Sequence, residues 1–240
     1  MKIKFLKADY KINFEVPKDF LKVLNKTFPV SKKNSPKIAI YSSIQFLKDL
    51  PKLSKLLIEA GYTPIFSKPF RTKFEGQILG CDSYPDSLKL NLDFIEGFIY
   101  IGDGYFHPNA LLLSQENETK IKSVLILNVV QQIVEVISKS HIEKYLKKKK
   151  GNLLKFYSSE NIGVFVSSKW GQEYMDSALK LKEKFKDKNF YFFIADNFLD
   201  SEFENFPKID CWVNTACPRI GQDDILRHTK AVINIKDIWE

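Results

Sequence analysis

Apolar runs of four or five residues recur along this chain, and stretches with helical spacing lie between them. Residues 38–41 (Ile-Ala-Ile-Tyr), 98–101, 124–127 and 162–166 are short and nearly continuous in apolar side chains. Such runs predict strands buried on both faces, as in parallel sheets covered by helices. Residues 62–66, 190–194, 211–215 and 231–235 read as further strands. After the first strand, residues 45–60 set Phe46, Leu47, Leu50, Leu53, Leu56 and Leu57 on one helical face, and Gly61 follows as a C-cap. Strand, helix and strand in that order predict a right-handed parallel crossover. The layout returns at Asn161: a strand, a loop, a helix over 173–185 with Tyr174, Ala178, Leu179 and Leu181 on its apolar face, then another strand. A helix at 111–113, an extended segment over 130–137 and a helical connector over 141–157 fill the space between the two units.

The expected fold class is therefore α/β, with two consecutive Rossmann-like domains whose parallel sheets are flanked by helices. The opening residues stand apart. Residues 2–8 alternate like a strand, and Phe20, Leu21 and Leu24 form a short helical face after Pro17. Residues 31–36 have the composition of a linker. The expected boundaries are an N-terminal arm and linker over 1–35, one domain over 36–140 and a second over 141–240.

Composition adds three points. No uncharged apolar run approaches the roughly 18 residues of a membrane span, and the start lacks a signal-peptide core. Three cysteines, an odd number, argue against a disulfide framework and for the reducing cytoplasm. Of the net charge of +8, almost all lies in residues 1–37, where ten lysines face three acids. That block reads as a surface for an acidic partner or as a solvated lysine-rich face.

The chemistry centres on a few loops. Cys217 stands just past the strand at 211–215, held by Pro218 and followed by the fixed charge of Arg219. Ligands of open α/β sheets gather outside the carboxyl ends of the strands. Cys211 lies six strand residues earlier, about 20 Å away at roughly 3.3 Å per residue, so it is read as a core thiol. Cys81, in the other unit, follows a glycine-bounded loop, and the two thiols are expected to meet across the domain interface. Gly102-Asp103-Gly104 suits an anion or serves as a plain turn, and His107 is a candidate base or a structural residue. Lys169, Gly171 and Gln172 precede a helix, where a carboxylate is well placed. There is no C-x-x-C pair, G-x-S-x-G elbow or H-E-x-x-H, so zinc-ribbon, hydrolase and zincin readings lack support.

Four of these loops occur in one order: Arg71-Thr72-Lys73-Phe74-Glu75-Gly76-Gln77-Ile78-Leu79-Gly80-Cys81, Gly102-Asp103-Gly104-Tyr105-Phe106-His107, Ser168-Lys169-Trp170-Gly171-Gln172, and Asn214-Thr215-Ala216-Cys217-Pro218-Arg219. With Ser43-Ile44-Gln45 and Ile194-Ala195-Asp196-Asn197, this set resembles the diphthamide synthase family, from about residue 36 onward. The resemblance implies three similar domains in the full family, each giving one cysteine to a central [4Fe–4S] cluster. An iron not held by protein binds S-adenosylmethionine, which is cleaved to a 3-amino-3-carboxypropyl radical. The radical adds to C2 of a histidine of elongation factor 2. Carried onto this sequence, Cys81 and Cys217 match the second and third cluster ligands and Cys211 is extra. Residues 36–140 and 141–240 become the family's middle and last domains, and 1–35 the remnant of a first domain.

A first-domain polypeptide or a paralogous subunit is then expected to supply the third thiolate. Lys169, Gln172 and Arg219 are the expected contacts for the carboxylate of S-adenosylmethionine, and Asp103 and His107 the candidate catalytic residues. Elongation factor 2 is the expected substrate, with no membrane and no direct nucleic-acid partner. Two alternatives stand beside this reading: a non-catalytic scaffold subunit of the same complex, and an unrelated Rossmann-like nucleotide-binding protein.

Overall fold

The computed structural model describes residues 14–31, 35–169, 172, 174–197 and 199–239. The strand expected at 2–8 lies outside the described residues. The chain divides into two compact units, Met1–Ile142 and Glu143–Glu240.

The first unit contains α1 (Phe20–Thr27), β1 (Lys37–Ser42), a 3-10 helix (Ile44–Asp49) running into α2 (Leu50–Glu59), β2 (Thr63–Ile65), β3 (Gly97–Ile101), α3 (Phe106–Leu113), β4 (Val124–Asn128) and β5 (Ile133–Ile137). Its sheet has the order β2-β1-β3-β4-β5. β1 to β4 run parallel, with Tyr41 opposite Tyr100 and Phe98 opposite Val124. β3 and β4 are buried along their whole length, as their unbroken apolar runs predict. Phe20 and Leu24 of α1, Leu53 and Leu57 of α2, and Ile38, Ile40, Ile99, Leu125 and Leu127 of the strands share one core. Each fully buried aliphatic or Phe side chain in it contributes about 1.5–3 kcal/mol. The short helix of the expected arm is thus part of this core.

Two local features depart from the sequence reading. The helix expected over 45–60 begins as a 3-10 turn and becomes α-helical only at Leu50. Pro51 sits in the first turn of α2, where its missing N–H costs nothing but also offers no donor to continue an earlier α-helix. The segment over 130–137 forms β5, which pairs antiparallel with β4, with Leu125 opposite Val136. Its connection to β4 is a tight turn, too short for a parallel crossover. Asn128 builds that turn by accepting the backbone N–H groups of Val130 and Gln131 at 3.1 and 3.0 Å.

The second unit contains α4 (Glu143–Ser158), β6 (Asn161–Ser167), α5 (Met175–Lys184), β7 (Asn189–Ala195), α6 (Asp200–Phe203), β8 (Cys211–Asn214), β9 (Ala231–Asn234) and α7 (Ile235–Trp239). All four strands run parallel in the order β7-β6-β8-β9. One face buries Ile162, Val164, Val166, Cys211, Val213 and Ile233 against Phe156, Ala178 and Leu181. The other buries Trp212 among Phe203, Ile209 and Val232. Gly163 lies opposite Trp212 in the register, and a Cβ there would stand 2.6 Å from the indole. A glycine is what lets that large ring lie flat across the sheet.

Both sheets reverse direction in the same way. In the first, the chain leaves β1 for β2 on one side and returns to β3 on the other; in the second, it leaves β6 for β7 and returns to β8. The crevices at these switch points, between the carboxyl ends of β1 and β3 and of β6 and β8, are where open α/β sheets hold ligands.

Candidate functional site

In the first unit, the long loop after β2 folds back over the end of β1. The Ser42 N–H donates to the Gly76 carbonyl at 2.8 Å, and the Ile78 N–H donates to the Ser42 carbonyl at 3.0 Å. This short parallel bridge carries the chain to Cys81 at the switch point. Asp82, fully buried, closes the loop: its carboxylate accepts the backbone N–H groups of Leu79 at 3.1 Å and Arg71 at 3.4 Å. Burial raises the Asp82 carboxyl above its ordinary range, and the two backbone bonds and Arg71 oppose that rise. The Arg71 guanidinium donates to the Cys81 carbonyl at 2.7 Å. The Cys81 side chain itself is half-buried.

The loop after β3 meets this one. Gly80 lies so close to the Phe106 ring that a Cβ on it would stand 2.2 Å from the nearest ring carbon. Phe106 contacts His107 edge to face at 5.3 Å, and His107 stacks on Tyr100 at 6.0 Å. Gly102, with φ of +156°, allows the Tyr100 hydroxyl to reach a point 2.4 Å from where a Cβ would lie. Burial raises the Tyr100 phenol, with Ser43 beside its hydroxyl. The hydroxyls of Ser42 and Ser83 are buried with no hydrogen-bond partner among the described residues. Asp103 stands exposed at the rim. Thus the loops that carry Cys81 and His107 meet through Gly80 and Phe106.

The second unit repeats the plan with different parts. Asn214, the last residue of β8, donates to the Cys217 carbonyl at 2.8 Å and to the Asn234 side chain at 2.7 Å, and accepts the Ala216 N–H at 3.0 Å. Asn234 in turn donates to the Pro218 carbonyl at 2.8 Å. These amides fix the turn that presents Cys217, which is half-buried and heads a 3-10 helix (Pro218–Gly221). Thr215 binds the Phe165 carbonyl through both its N–H and its hydroxyl, tying the end of β8 to β6. On the other side of β6, at the end of β7, Ser168 pairs with Asp196, and exposed Lys169 donates to the Asn197 side chain at 2.5 Å. The Gln172 N–H donates to the Lys169 carbonyl at 3.0 Å. Trp170, Gly171 and Glu173 lie outside the described residues. Arg219 is only 4% exposed, and its guanidinium forms an ion pair with Asp223. It faces inward, behind the Cys217 turn, where Lys169 faces solvent.

Cys211 is separated from this chemistry. It is fully buried in the apolar face of the sheet, and desolvation pushes its thiol up to about 12. A thiol held protonated in a core is a small apolar side chain, not a metal ligand. Among the described residues, no group of three or more His, Cys, Asp and Glu is placed to hold a metal ion by itself.

Tyr100, Ser42 and Ser83 were not singled out by sequence reading, and Phe106 only as part of a motif. Tyr100 and Ser42 on strands and Ser83 in a loop carry no distinguishing pattern, and only the long-range approach of Gly80 to the Phe106 ring joins the two loops.

Each unit therefore carries two of the four motifs and one half-buried thiol. A family model described as "Putative diphthamide synthesis protein" matches residues 1–238. The chain belongs to the diphthamide synthesis family. The 2-(3-amino-3-carboxypropyl)histidine synthase of Pyrococcus horikoshii is 25% identical over 210 residues, which span 86% of this chain and 57% of that protein. Its counterpart in Methanocaldococcus jannaschii is 30% identical over 139 residues, 56% of this chain and 38% of that protein. The subunit 1 of the human synthase is 23% identical over 220 residues, 85% of this chain and 46% of that subunit. The crystal structure of Dph2 from Pyrococcus horikoshii with a 4Fe–4S cluster matches with a TM-score of 0.69 at 25% identity, covering 91% of this chain and 60% of that one. The chain spans about half the length of the curated relatives it matches. Membership in this family sets aside the reading of an unrelated nucleotide binder. Among the described residues, no helix is long and apolar enough to cross a membrane.

Proposed function

We propose that this chain is a component of 2-(3-amino-3-carboxypropyl)histidine synthase, the first step of diphthamide formation on elongation factor 2 in the cytoplasm. Cys81 and Cys217 are two ligands of a [4Fe–4S] cluster, and a third thiolate comes from outside these 240 residues, from a first-domain polypeptide or a paralogous subunit. The residues fit the group. Two half-buried thiols stand on loops at sheet switch points, and soft thiolates are the donors that iron–sulfur clusters take. The third cysteine is excluded by its burial. Buried hydroxyls of Ser42 and Ser83 near the first thiol leave hydrogen-bonding capacity for a polar group there.

When bound, the cluster supplies an electron and an open iron site, which together allow the Cγ–S bond of S-adenosylmethionine to be broken. Overall, the 3-amino-3-carboxypropyl group replaces the hydrogen on imidazole C2, methylthioadenosine leaves and a proton is released. Imidazole C2 is a poor nucleophile, which is the physical reason for a radical route.

The chain's own residues position the groups. Lys169 and Gln172 hold the carboxylate of S-adenosylmethionine beyond the carboxyl end of β6. Arg219 contributes positive potential from behind the Cys217 turn and holds that turn through Asp223. His107, clamped by Phe106 and Tyr100, and Asp103 line the β1–β3 crevice.

The observation that carries this reading is that each unit sets one half-buried cysteine among the family's motifs at its switch point. The test is anaerobic reconstitution with the third-thiolate partner, followed by iron counting and measurement of methylthioadenosine. Iron and cofactor cleavage in the wild type, and loss of both in Cys81→Ala and Cys217→Ala, support the enzyme. Transfer that survives loss of both thiols would make this chain the scaffold subunit.

A further inference from the structure

A cleft on the first unit lies outside the cysteine crevice but shares its rim. It measures about 410 Å3 and is lined by Asp103, Gly104 and Tyr105 from the loop after β3, by Ile126 and Asn128 of β4, and by Val130, Gln131, Ile133 and Glu135 of the β4–β5 hairpin. Its chemistry is one-sided. The walls are apolar through Ile126, Val130 and Ile133, and its charged groups are two carboxylates, Asp103 and Glu135. No lysine or arginine lines it, in a chain of net charge +8. Val130, Ile133 and Tyr105 are 40%, 41% and 47% exposed, so the apolar walls are open to a partner.

The cleft is held in shape by its own bonds. The Asn128 side chain is spent on the turn, accepting from Val130 and Gln131 and donating to the Gln131 side chain at 3.1 Å. The Tyr105 hydroxyl donates to Glu135 at 2.6 Å, bracing the β3 loop against the hairpin. That loop continues directly into Phe106, whose ring lies on Gly80 beside Cys81. The cleft and the loop of Cys81 are thus linked through Tyr105 and Phe106.

We infer that this cleft docks the polypeptide acceptor of the proposed reaction, taking a segment with a cationic side chain between Asp103 and Glu135 and apolar neighbours against Val130 and Ile133. The inference rests on the function proposed above, since it assigns where that reaction's protein substrate is held. Charge complementarity selects this occupant. An anionic ligand such as the carboxylate of a cofactor is repelled by two carboxylates with no cation among them. A second copy of this chain, itself of net charge +8, is the competing occupant that the experiment reads separately. The volume, in the range of side-chain and small-ligand sites, suits one or two side chains of a docked segment.

The experiment uses the reconstituted complex with elongation factor 2 as the probe, and the variants Glu135→Lys and Tyr105→Phe. Two quantities are read: cleavage of S-adenosylmethionine without acceptor, and binding of elongation factor 2 to the complex by anisotropy at low and high salt. Glu135→Lys is expected to weaken acceptor binding at low salt at least tenfold and to flatten its salt dependence. Tyr105→Phe is expected to weaken it several-fold. Cofactor cleavage without acceptor and iron content stay at the wild-type level in both. Unchanged acceptor binding in Glu135→Lys overturns the inference, as does an equal loss of acceptor-free cleavage, which would make the cleft part of the cofactor site. A change in self-association with acceptor binding intact also overturns it, in favour of a second copy. Should Glu135→Lys lose its fold by circular dichroism, Ile133→Ser in the same two assays decides. Absence of iron and cleavage in the wild type itself sinks the underlying function instead and is read separately from the docking result.

Discussion

Replacing Gly80 by alanine tests whether the approach of two loops positions the first thiol. The added Cβ would stand 2.2, 2.5 and 2.8 Å from three carbons of the Phe106 ring. Ordinary contact between carbons is about 3.5–4.0 Å, so something must move by more than about 1 Å. Phe106 is 51% exposed, and its ring can swing toward solvent. The cost to folding is then at the low end for overpacking, about 1 kcal/mol. The cost to function is larger, because Gly80 precedes Cys81 directly and the ring also sets the edge of His107. A misplacement of about 1 Å at a reacting centre costs on the order of 100-fold in rate. Gly80→Ala should therefore melt within a few degrees of the wild type while losing most of its cluster content or its transfer rate. Pairing it with Phe106→Leu, which removes the clashing ring carbons, should recover a substantial part of the loss, and a double-mutant cycle measures the coupling. Wild-type iron content and rate in Gly80→Ala, or equal losses in the single and double variants, would refute the reasoning.

Two further predictions concern the scaffold. Cys211→Ser sets a hydroxyl in the apolar face between Ile162 and Ala231 and should destabilise the second unit by about 1–3 kcal/mol in chemical denaturation, leaving iron content per folded chain unchanged; reduced iron would mean that this thiol is a ligand after all. Burial raises the Asp49 carboxyl above its ordinary range, with Lys48 and Lys52 opposing. Its folded value thus exceeds the unfolded one, so the stability it contributes is complete below the ordinary carboxylate range, about pH 4, and is lost as pH rises through the folded value. The stability of Asp49→Asn relative to the wild type should accordingly be greater at pH 7 than at pH 4, and a difference flat with pH would contradict this.

Much of the architecture was legible in the chain. The runs at 38–41, 98–101, 124–127 and 162–166 became buried strands because helices cover both sides of a parallel sheet. Local chemistry set what was not legible. Pro51 converted the first turns of an expected helix into a 3-10 segment, and Asn128 built a tight turn that reversed β5. In the site, the strand ends located Cys217, Lys169, Gln172 and Arg219 at one edge of the second sheet, since a strand's carboxyl end is visible in sequence. That Arg219 turns inward to Asp223 was not visible, because nothing in its own neighbourhood separates a buried guanidinium from an exposed one. The meeting of Gly80 with Phe106 joins residues 26 positions apart, and no local pattern encodes it. Cys211 was read as a core thiol from strand arithmetic, and it lies fully buried in the core of the second sheet, although β8 ends at Asn214 and not at Cys217.

The central claim is that Cys81 and Cys217 bind one cluster. Mössbauer spectroscopy of iron-57-reconstituted complex, on the wild type and on the Cys81→Ala, Cys217→Ala and Cys211→Ala variants, measures it most directly. The account predicts a [4Fe–4S] signal in the wild type and in Cys211→Ala, and its loss in each of the other two. A full signal in either Cys81→Ala or Cys217→Ala, or a loss confined to Cys211→Ala, would contradict it.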